Sequence, residues 1–166
     1  MIEMNNPFKS VISVNDVVQS FYQTNLKARP LLSAVNRSDS YARDILDMAC
    51  EMMDRNNECT VTYAELDKEL GIKQSRTRTR SMNILRMLNL VDTINGNKKG
   101  VILFRINARA FSKTGINVKE KDGRFCDDLN SEMIDKDGKV KKECIESYRY
   151  YEKNQEKVEK NDGLPF

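Results

Sequence analysis

The chain has 166 residues, with 28 lysines and arginines against 25 aspartates and glutamates and a net charge of +3. This length accommodates one ordinary domain with appendages, and an apolar fraction of 39% predicts a modest core. No apolar run approaches the roughly 18 residues that a membrane span needs, and the N-terminus lacks the layout of a secretory signal. We therefore expect a cytoplasmic protein without a membrane partner.

The residue types available for chemistry argue against an enzyme. The chain has no histidine, which removes the commonest general base and nitrogen ligand. Its four cysteines are Cys50, Cys59, Cys126 and Cys144. They form no CxxC pair, so they predict free thiols of a reducing compartment and not a zinc site. We expect no enzymatic activity, no metal and no cofactor.

Residues 1–37 are expected to form an N-terminal helical segment. Asn15 or Asp16 can cap a helix that runs to about Leu26, and Pro30 is expected to break the chain after it. Such a helix would pack on the following domain or mediate oligomerisation, for example in a homodimer. The sequence leaves these alternatives open.

A first core helix is predicted between about Tyr41 and Arg55. The N-cap candidates that precede it are Ser38, Asp39 and Ser40. Apolar side chains recur at helical spacing at positions 41, 45, 48 and 52. Residues 56–58 then predict a turn, and residues 59–61 predict a short strand.

A helix, a tight turn and a second, basic helix follow this strand. Thr62 with Glu65 three residues later is a capping-box pattern, which predicts a helix start. Gly71 predicts the end of that helix, because glycine enters the left-handed region without a Cβ clash. The second helix spans about 74–88, and Asn89 after it also tolerates the left-handed conformation.

Two aliphatic and β-branched runs, Leu90–Ile94 and Val101–Ile106, predict a hairpin with a loop at residues 95–100. Helix, turn, helix and hairpin in this order resemble the winged helix-turn-helix of bacterial and phage regulators and replication proteins. The resemblance is carried by Gly71–Ile72 as the turn, Thr79–Val91 as the recognition helix, and the hairpin as the wing. It implies an α+β, mainly α, fold with a winged-helix DNA-binding domain at residues 38–111.

One face of the basic helix is predicted to contact DNA. At about 100° per residue this face carries Arg76, Thr79, Arg80 and Asn83, with Lys73 and Met87 beside it. Arginine pairs with guanine or phosphate and asparagine with adenine, and Lys98 and Lys99 at the hairpin tip would reach adjacent phosphates. Arg78 falls with Ser81 and Met82 on the buried side, so either the helix begins late or Arg78 extends past its edge.

Positive charge is concentrated around this helix and hairpin. Residues 71–110 contain nine basic side chains and one acid, Asp92, which gives the stretch a charge of +8 in a chain of +3. A basic surface on a fold of this kind is the electrostatic pattern expected of nucleic-acid binding. The alternative is a solvated helix face on a winged helix that binds protein.

Residues 112–160 predict a charged extension. It comprises a small hairpin at 118–125, an acidic loop, and a charged helix over Lys139–Lys157. The aromatic side chains of that helix are Tyr148, Tyr150 and Tyr151. They could stack on single-stranded bases, and packing against a partner helix explains them equally well.

The last six residues, 161–166, resemble the C-terminal tip of bacterial single-stranded DNA-binding proteins. The matching residues are Asp162, Leu164, Pro165 and Phe166, while Asn161 and Gly163 stand where acids are usual. In that family the tip docks on replication and repair enzymes, with the terminal phenylalanine in an apolar pocket. The resemblance implies a docking tail for host replication and repair proteins.

The favoured hypothesis is a DNA-binding accessory protein of replication or repair, from a phage or mobile element. It would bind DNA, single-stranded by preference, and recruit host proteins through the tail. One alternative is a sequence-specific duplex binder, either a transcriptional repressor or a replication-origin protein. Another is a tail mimic that occupies host repair enzymes. The first hypothesis explains both the basic helix and the tail.

Overall fold

Four helices and two small antiparallel sheets make up the described part of a computed structural model, residues 22–96, 98–114, 123–143 and 145. The helices are α1 (Arg29–Ser38), α2 (Ser40–Met52), α3 (Tyr63–Leu70) and α4 (Ser75–Met87). The strands are β1 (Gln23–Thr24), β2 (Glu58–Thr62), β3 (Val91–Asn95), β4 (Val101–Ile106) and β5 (Phe111–Ser112). The α+β class is therefore as predicted.

The chain before α2 differs from the prediction. Residues 23 and 24 form β1, which pairs with β5, and Leu26–Ala28 is a 3-10 turn, so the predicted helix does not reach Leu26. The part of that helix before residue 22 lies outside the described residues. Pro30 does not break the chain, because it lies in the first turn of α1, where its missing N–H and fixed φ are tolerated.

The local signals for the ends of α2, α3 and α4 are confirmed. The Asp39 carboxylate caps α2 by accepting an N–H of its first turn. Thr62 and Glu65 form the capping box of α3, and Gly71 ends that helix with a φ of 66°. The helix α4 ends one residue before the predicted limit, and Asn89 takes a φ of 56°. The helix α2 ends three residues before the predicted limit, so Met52 is its last residue and is 49% exposed.

The strand predicted before α3 is present and pairs with strand β4 of the hairpin. The three-stranded sheet has the order β2-β4-β3, with Val61 opposite Ile102 and Val91 opposite Ile106. These side chains are buried with Phe104 on the face that meets the helices. The core also includes the apolar side of α1, which consists of Leu31, Leu32, Ala34 and Val35.

The described residues 123–143 and Ile145 pack against the end of α4 and against α1. The backbone N–H of Asn130 donates to the carbonyl of Leu88, and its side-chain amide donates to the carbonyl of Met87, each at 3.1 Å. These are carbonyls that a helix end leaves without an internal partner. Val140 and Ile145 lie in the common core. The predicted helix does not begin at Lys139, because Val140 forms an isolated β-bridge with Ile134 and helical residues start at position 142. The part of that helix after residue 145, most of the 118–125 hairpin and the whole 161–166 tail lie outside the described residues.

A helix that crosses a lipid bilayer must be both long and apolar. None of the helices in the described ranges combines these two properties.

Candidate nucleic-acid interface

The exposed side of α4 is confined to its first half. Arg76, Thr79 and Arg80 are exposed, and Lys73 is exposed in the turn that precedes the helix. Residues 75–80 contain no apolar side chain, whereas six of the seven residues from 81 to 87 are buried. This distribution explains why only the first half of α4 is available to a partner.

The prediction that Asn83 faces DNA is wrong. This residue is 1% exposed, and its Oδ1 accepts a hydrogen bond of 2.8 Å from Nη1 of Arg86. Met87, predicted beside the DNA face, is 5% exposed. A helical projection assumes one buried face, but the second half of α4 lies between a helix and a strand and is covered on two sides. Its polar positions are therefore buried as well.

Arg78 lies on the inner side of α4, as predicted, and has two partners on α3. Its guanidinium forms an ion pair with Asp67 and lies 4.1 Å from the centroid of the Tyr63 ring. The helix begins at Ser75, so Arg78 is accommodated by reaching across to α3 and not by a late helix start. The N–H of Tyr63 donates to the carbonyl of Gly100 at 2.8 Å. These contacts connect the beginning of α4 to the hairpin tip.

The middle of α4 is connected to the start of α2 through Asp39. Ser81 Oγ donates to Asp39 Oδ1 at 2.9 Å, and Arg80 Nε lies 3.9 Å from Asp39 Oδ2. The Arg80 side chain is 50% exposed, whereas that of Asp39 is 9% exposed. The Arg80 guanidinium therefore remains accessible to an anion in solution.

Four of the nine basic side chains between residues 71 and 110 make no hydrogen bond or ion pair with the described part of the chain. They are Lys73, Arg76, Lys98 and Lys99. Others have acidic neighbours: Arg105 lies 3.4 Å from Asp92 and 3.7 Å from Glu58, and Arg109 lies 3.8 Å from Asp128. The accessible positive charge is thus smaller than the sequence suggests. It is divided between the beginning of α4 and the hairpin tip.

The six aromatic side chains within the described ranges are all buried or half-buried. Tyr22 packs edge-on against Phe111, with ring centroids 5.9 Å apart, and Tyr63 is covered by Arg78. Binding of single strands commonly depends on exposed aromatic rings on which bases stack. Among these rings, that of Tyr41 lies beside Arg76 and Arg80, and it is half-buried and packs against the core.

The buried thiols are poorly suited to chemistry. Burial raises the pKa of the Cys50 thiol and raises that of Cys59 to about 11, so both are protonated and poorly nucleophilic near neutral pH. Within the described ranges, no three Cys, Asp or Glu side chains are grouped as metal ligands. The accessible cations are therefore the feature from which a function can be argued.

No protein-family model matches this chain, and neither does any curated protein or solved structure. A function for the chain is consequently inferred from its own geometry.

Proposed function

We propose that the chain is a winged helix-turn-helix protein that binds duplex DNA with the beginning of α4 and the hairpin tip. The observation that carries this proposal is the chain of contacts from Arg78 through Tyr63 to Gly100. It connects two elements that each present accessible cations. The order helix, turn, helix, hairpin, on which the sequence resemblance rests, is also the order of α3, α4 and the hairpin along the chain.

Phosphate contacts would supply most of the affinity. Five cations are accessible for them: Lys73, Arg76, Arg80, Lys98 and Lys99. Each phosphate neutralised on a duplex contributes about −0.9 to the slope of log K against log salt, so we expect a slope of about −4 to −5. Arg76 and Thr79 are exposed on one helix face and can reach base edges in a major groove.

We favour duplex DNA over single-stranded DNA as the ligand because of where the aromatic side chains lie. Those in the described residues are buried or half-buried, so the described surface presents no fully exposed ring on which a base could stack. The single-stranded hypothesis depends on Tyr148, Tyr150 and Tyr151, which lie outside the described residues. Within the proposal, single-stranded binding is the second candidate.

The accessory role in replication or repair depends on the last residues of the sequence. Asp162, Leu164, Pro165 and Phe166 form the docking peptide of this proposal, and their support is the sequence resemblance alone. Deletion of Phe166 should abolish binding to host replication or repair proteins and leave DNA affinity unchanged. Retained binding after the deletion would reject the docking role and leave the DNA-binding proposal intact.

A titration of labelled duplex and single-stranded oligonucleotides of one sequence, at several salt concentrations, tests the DNA-binding proposal. The double variant Arg76→Ala, Arg80→Ala should bind the duplex more weakly, with a salt slope flatter by about two units. Arg109→Ala is the control for the loss of one positive charge elsewhere, because Arg109 is 49% exposed but pairs with Asp128 near the opposite end of α4. An unchanged slope in the double variant would place the DNA elsewhere.

A further inference from the structure

We infer that a groove between α2 and α4 holds the sugar–phosphate backbone of the bound duplex beside the segment that α4 contacts. This inference rests on the proposed function and adds a second contact region to it. The groove has a volume of about 530 Å³. One side carries Arg76, Thr77 and Arg80 of α4, and the other carries Ser40 and Tyr41 at the start of α2.

The lining of the groove suits phosphodiester oxygens. The hydroxyls of Ser40, Tyr41 and Thr77 make no hydrogen bond with the described residues, so they are available as donors. Ser38 Oγ accepts from the N–H of Val140 at 2.9 Å and keeps its own hydrogen to donate. Hydroxyls and arginines are the side-chain groups that commonly contact DNA phosphates, and such contacts position the protein without reading sequence.

Asp39 also lines the groove, and its charge would oppose a phosphate if it were exposed. Its side chain is only 9% exposed, and Oδ1 accepts from the Ala42 N–H at 3.0 Å and from Ser81 at 2.9 Å. Arg80 lies beside the other oxygen. The carboxylate is therefore directed at internal donors, and the open side of the groove presents Arg76 and the hydroxyls.

A protein segment is a less suitable occupant than a nucleic-acid strand. Protein interfaces usually derive their affinity from apolar or aromatic anchors that fill a desolvated pocket. The groove contains one aromatic side chain, Tyr41, which is half-buried and packs against the core. Its polar lining instead matches a backbone that carries one charge for each nucleotide.

The test introduces a negative charge into the groove with Ser40→Glu. Ser40 is the exposed first residue of α2, where an acidic side chain is favourable to the helix. The variant should keep or raise the temperature of thermal unfolding. Its affinity for duplex DNA should fall about tenfold or more, as expected for the loss of one good contact.

Ser131→Glu is the matched control. Ser131 is exposed and begins a 3-10 turn, next to Asn130 at the far end of α4. The substitution changes the net charge by the same amount, and it should leave DNA affinity within about twofold of wild type. Thr77→Val removes the hydroxyl without a change of charge, and we expect its affinity for duplex DNA to fall about two- to fivefold.

A series of duplexes of increasing length completes the experiment. Wild-type protein should gain affinity as the duplex is extended over the groove, and Ser40→Glu should lose that gain. If wild type binds duplex DNA and Ser40→Glu binds it equally well, the groove inference is overturned and the proposed function stands. Equal weakening by Ser40→Glu and Ser131→Glu would also overturn it, since the effect would then be one of total charge. If wild type binds no DNA, the proposed function fails and the inference fails with it.

Discussion

Ser81 donates a hydrogen bond of 2.9 Å to the same carboxylate oxygen of Asp39 that accepts the Ala42 N–H at 3.0 Å. One side chain thus caps α2 and satisfies a hydroxyl in the middle of α4. Ser81 is fully buried, so no solvent can replace Asp39 as its partner. The two helices that border the proposed DNA groove are therefore coupled through a single carboxylate.

Asp39→Ala should lower the free energy of unfolding by about 2 kcal/mol. The lost cap accounts for about 1 kcal/mol, and the unpaired Ser81 hydroxyl accounts for a similar amount or more. Asp39→Asn retains an acceptor for both donors and should cost less than about 1 kcal/mol. Urea denaturation of the two variants measures the difference, and equal losses would show that the charge matters more than the hydrogen bonds.

Asp39→Asn should also bind duplex DNA more tightly than wild type at low salt. The substitution removes a negative charge 3.9 Å from Arg80, which lies on the proposed DNA-binding surface. The gain should shrink as salt is added, because the interaction of charges near the surface is screened. Unchanged affinity at low salt would indicate that Arg80 does not contact a phosphate.

Asn57 should be among the most sensitive polar positions for folding. It has a φ of 60°, is fully buried, and its amide donates to the carbonyls of Ile106 at 3.2 Å and Phe111 at 2.7 Å. Asn57→Gly keeps the left-handed conformation and loses both hydrogen bonds, at a cost of about 2 kcal/mol. Asn57→Ala should cost about 1 kcal/mol more, because a Cβ is disfavoured there. Thermal unfolding compares the two variants, and a higher unfolding temperature for Asn57→Ala than for Asn57→Gly would contradict this account.

The contact between Arg78 and Asp67 should show energetic coupling. A double-mutant cycle with Arg78→Met and Asp67→Asn is expected to give a coupling energy of about 1–2 kcal/mol, since both side chains are mostly shielded from solvent. A coupling near zero would be typical of an exposed ion pair. Arg78→Met should leave the salt slope of DNA binding unchanged, because Arg78 is directed at α3 and not at the solvent. A flatter slope would add Arg78 to the DNA contacts.

Stability should decline at alkaline pH because of the buried thiols. Burial raises the pKa of Cys59 to about 11, and it also raises that of Cys50, whereas an unfolded thiol titrates near about 8.5. Below that pH both states keep their protons and stability is unaffected. Between about pH 9 and 11 the unfolded state loses protons that the folded state retains. The free energy of unfolding then falls by up to about 1.4 kcal/mol per pH unit for each thiol.

Chemical denaturation across this alkaline range measures the effect. Cys59→Ala should make the decline shallower, even though its stability at neutral pH is lower because the side chain is smaller. An equally steep decline in the variant would assign the alkaline instability to other groups.

Features encoded by near neighbours in sequence were predictable. The capping box at Thr62, the helix stop at Gly71 and the left-handed Asn89 each depend on a few adjacent residues, and each is confirmed. The hairpin and its third strand followed from apolar runs and were also correct. Sequence signals of this kind predicted most of the elements between residues 39 and 106.

Features that depend on which elements cover a residue were not predictable. Asn83 is polar and stands on the polar side of a helical projection, and its burial follows from the packing of α2 and β3 on the second half of α4. Asn57 was expected only in a turn, and its bonds to Ile106 and Phe111 span 49 and 54 residues. Val140 was expected near the start of a charged helix, yet it pairs with Ile134 in an isolated β-bridge and lies in the core. No local pattern in the sequence encodes these contacts.

The two hydrogen bonds from Asn130 to the end of α4 have a practical consequence for truncation studies. A fragment cut at residue 111, the limit suggested by the winged-helix resemblance, would leave the carbonyls of Met87 and Leu88 without these donors. It would also remove Val140 and Ile145 from the hydrophobic core. Weak DNA binding by such a fragment would therefore reflect fraying of α4 from its far end, and deletion mapping should retain the chain through Ile145.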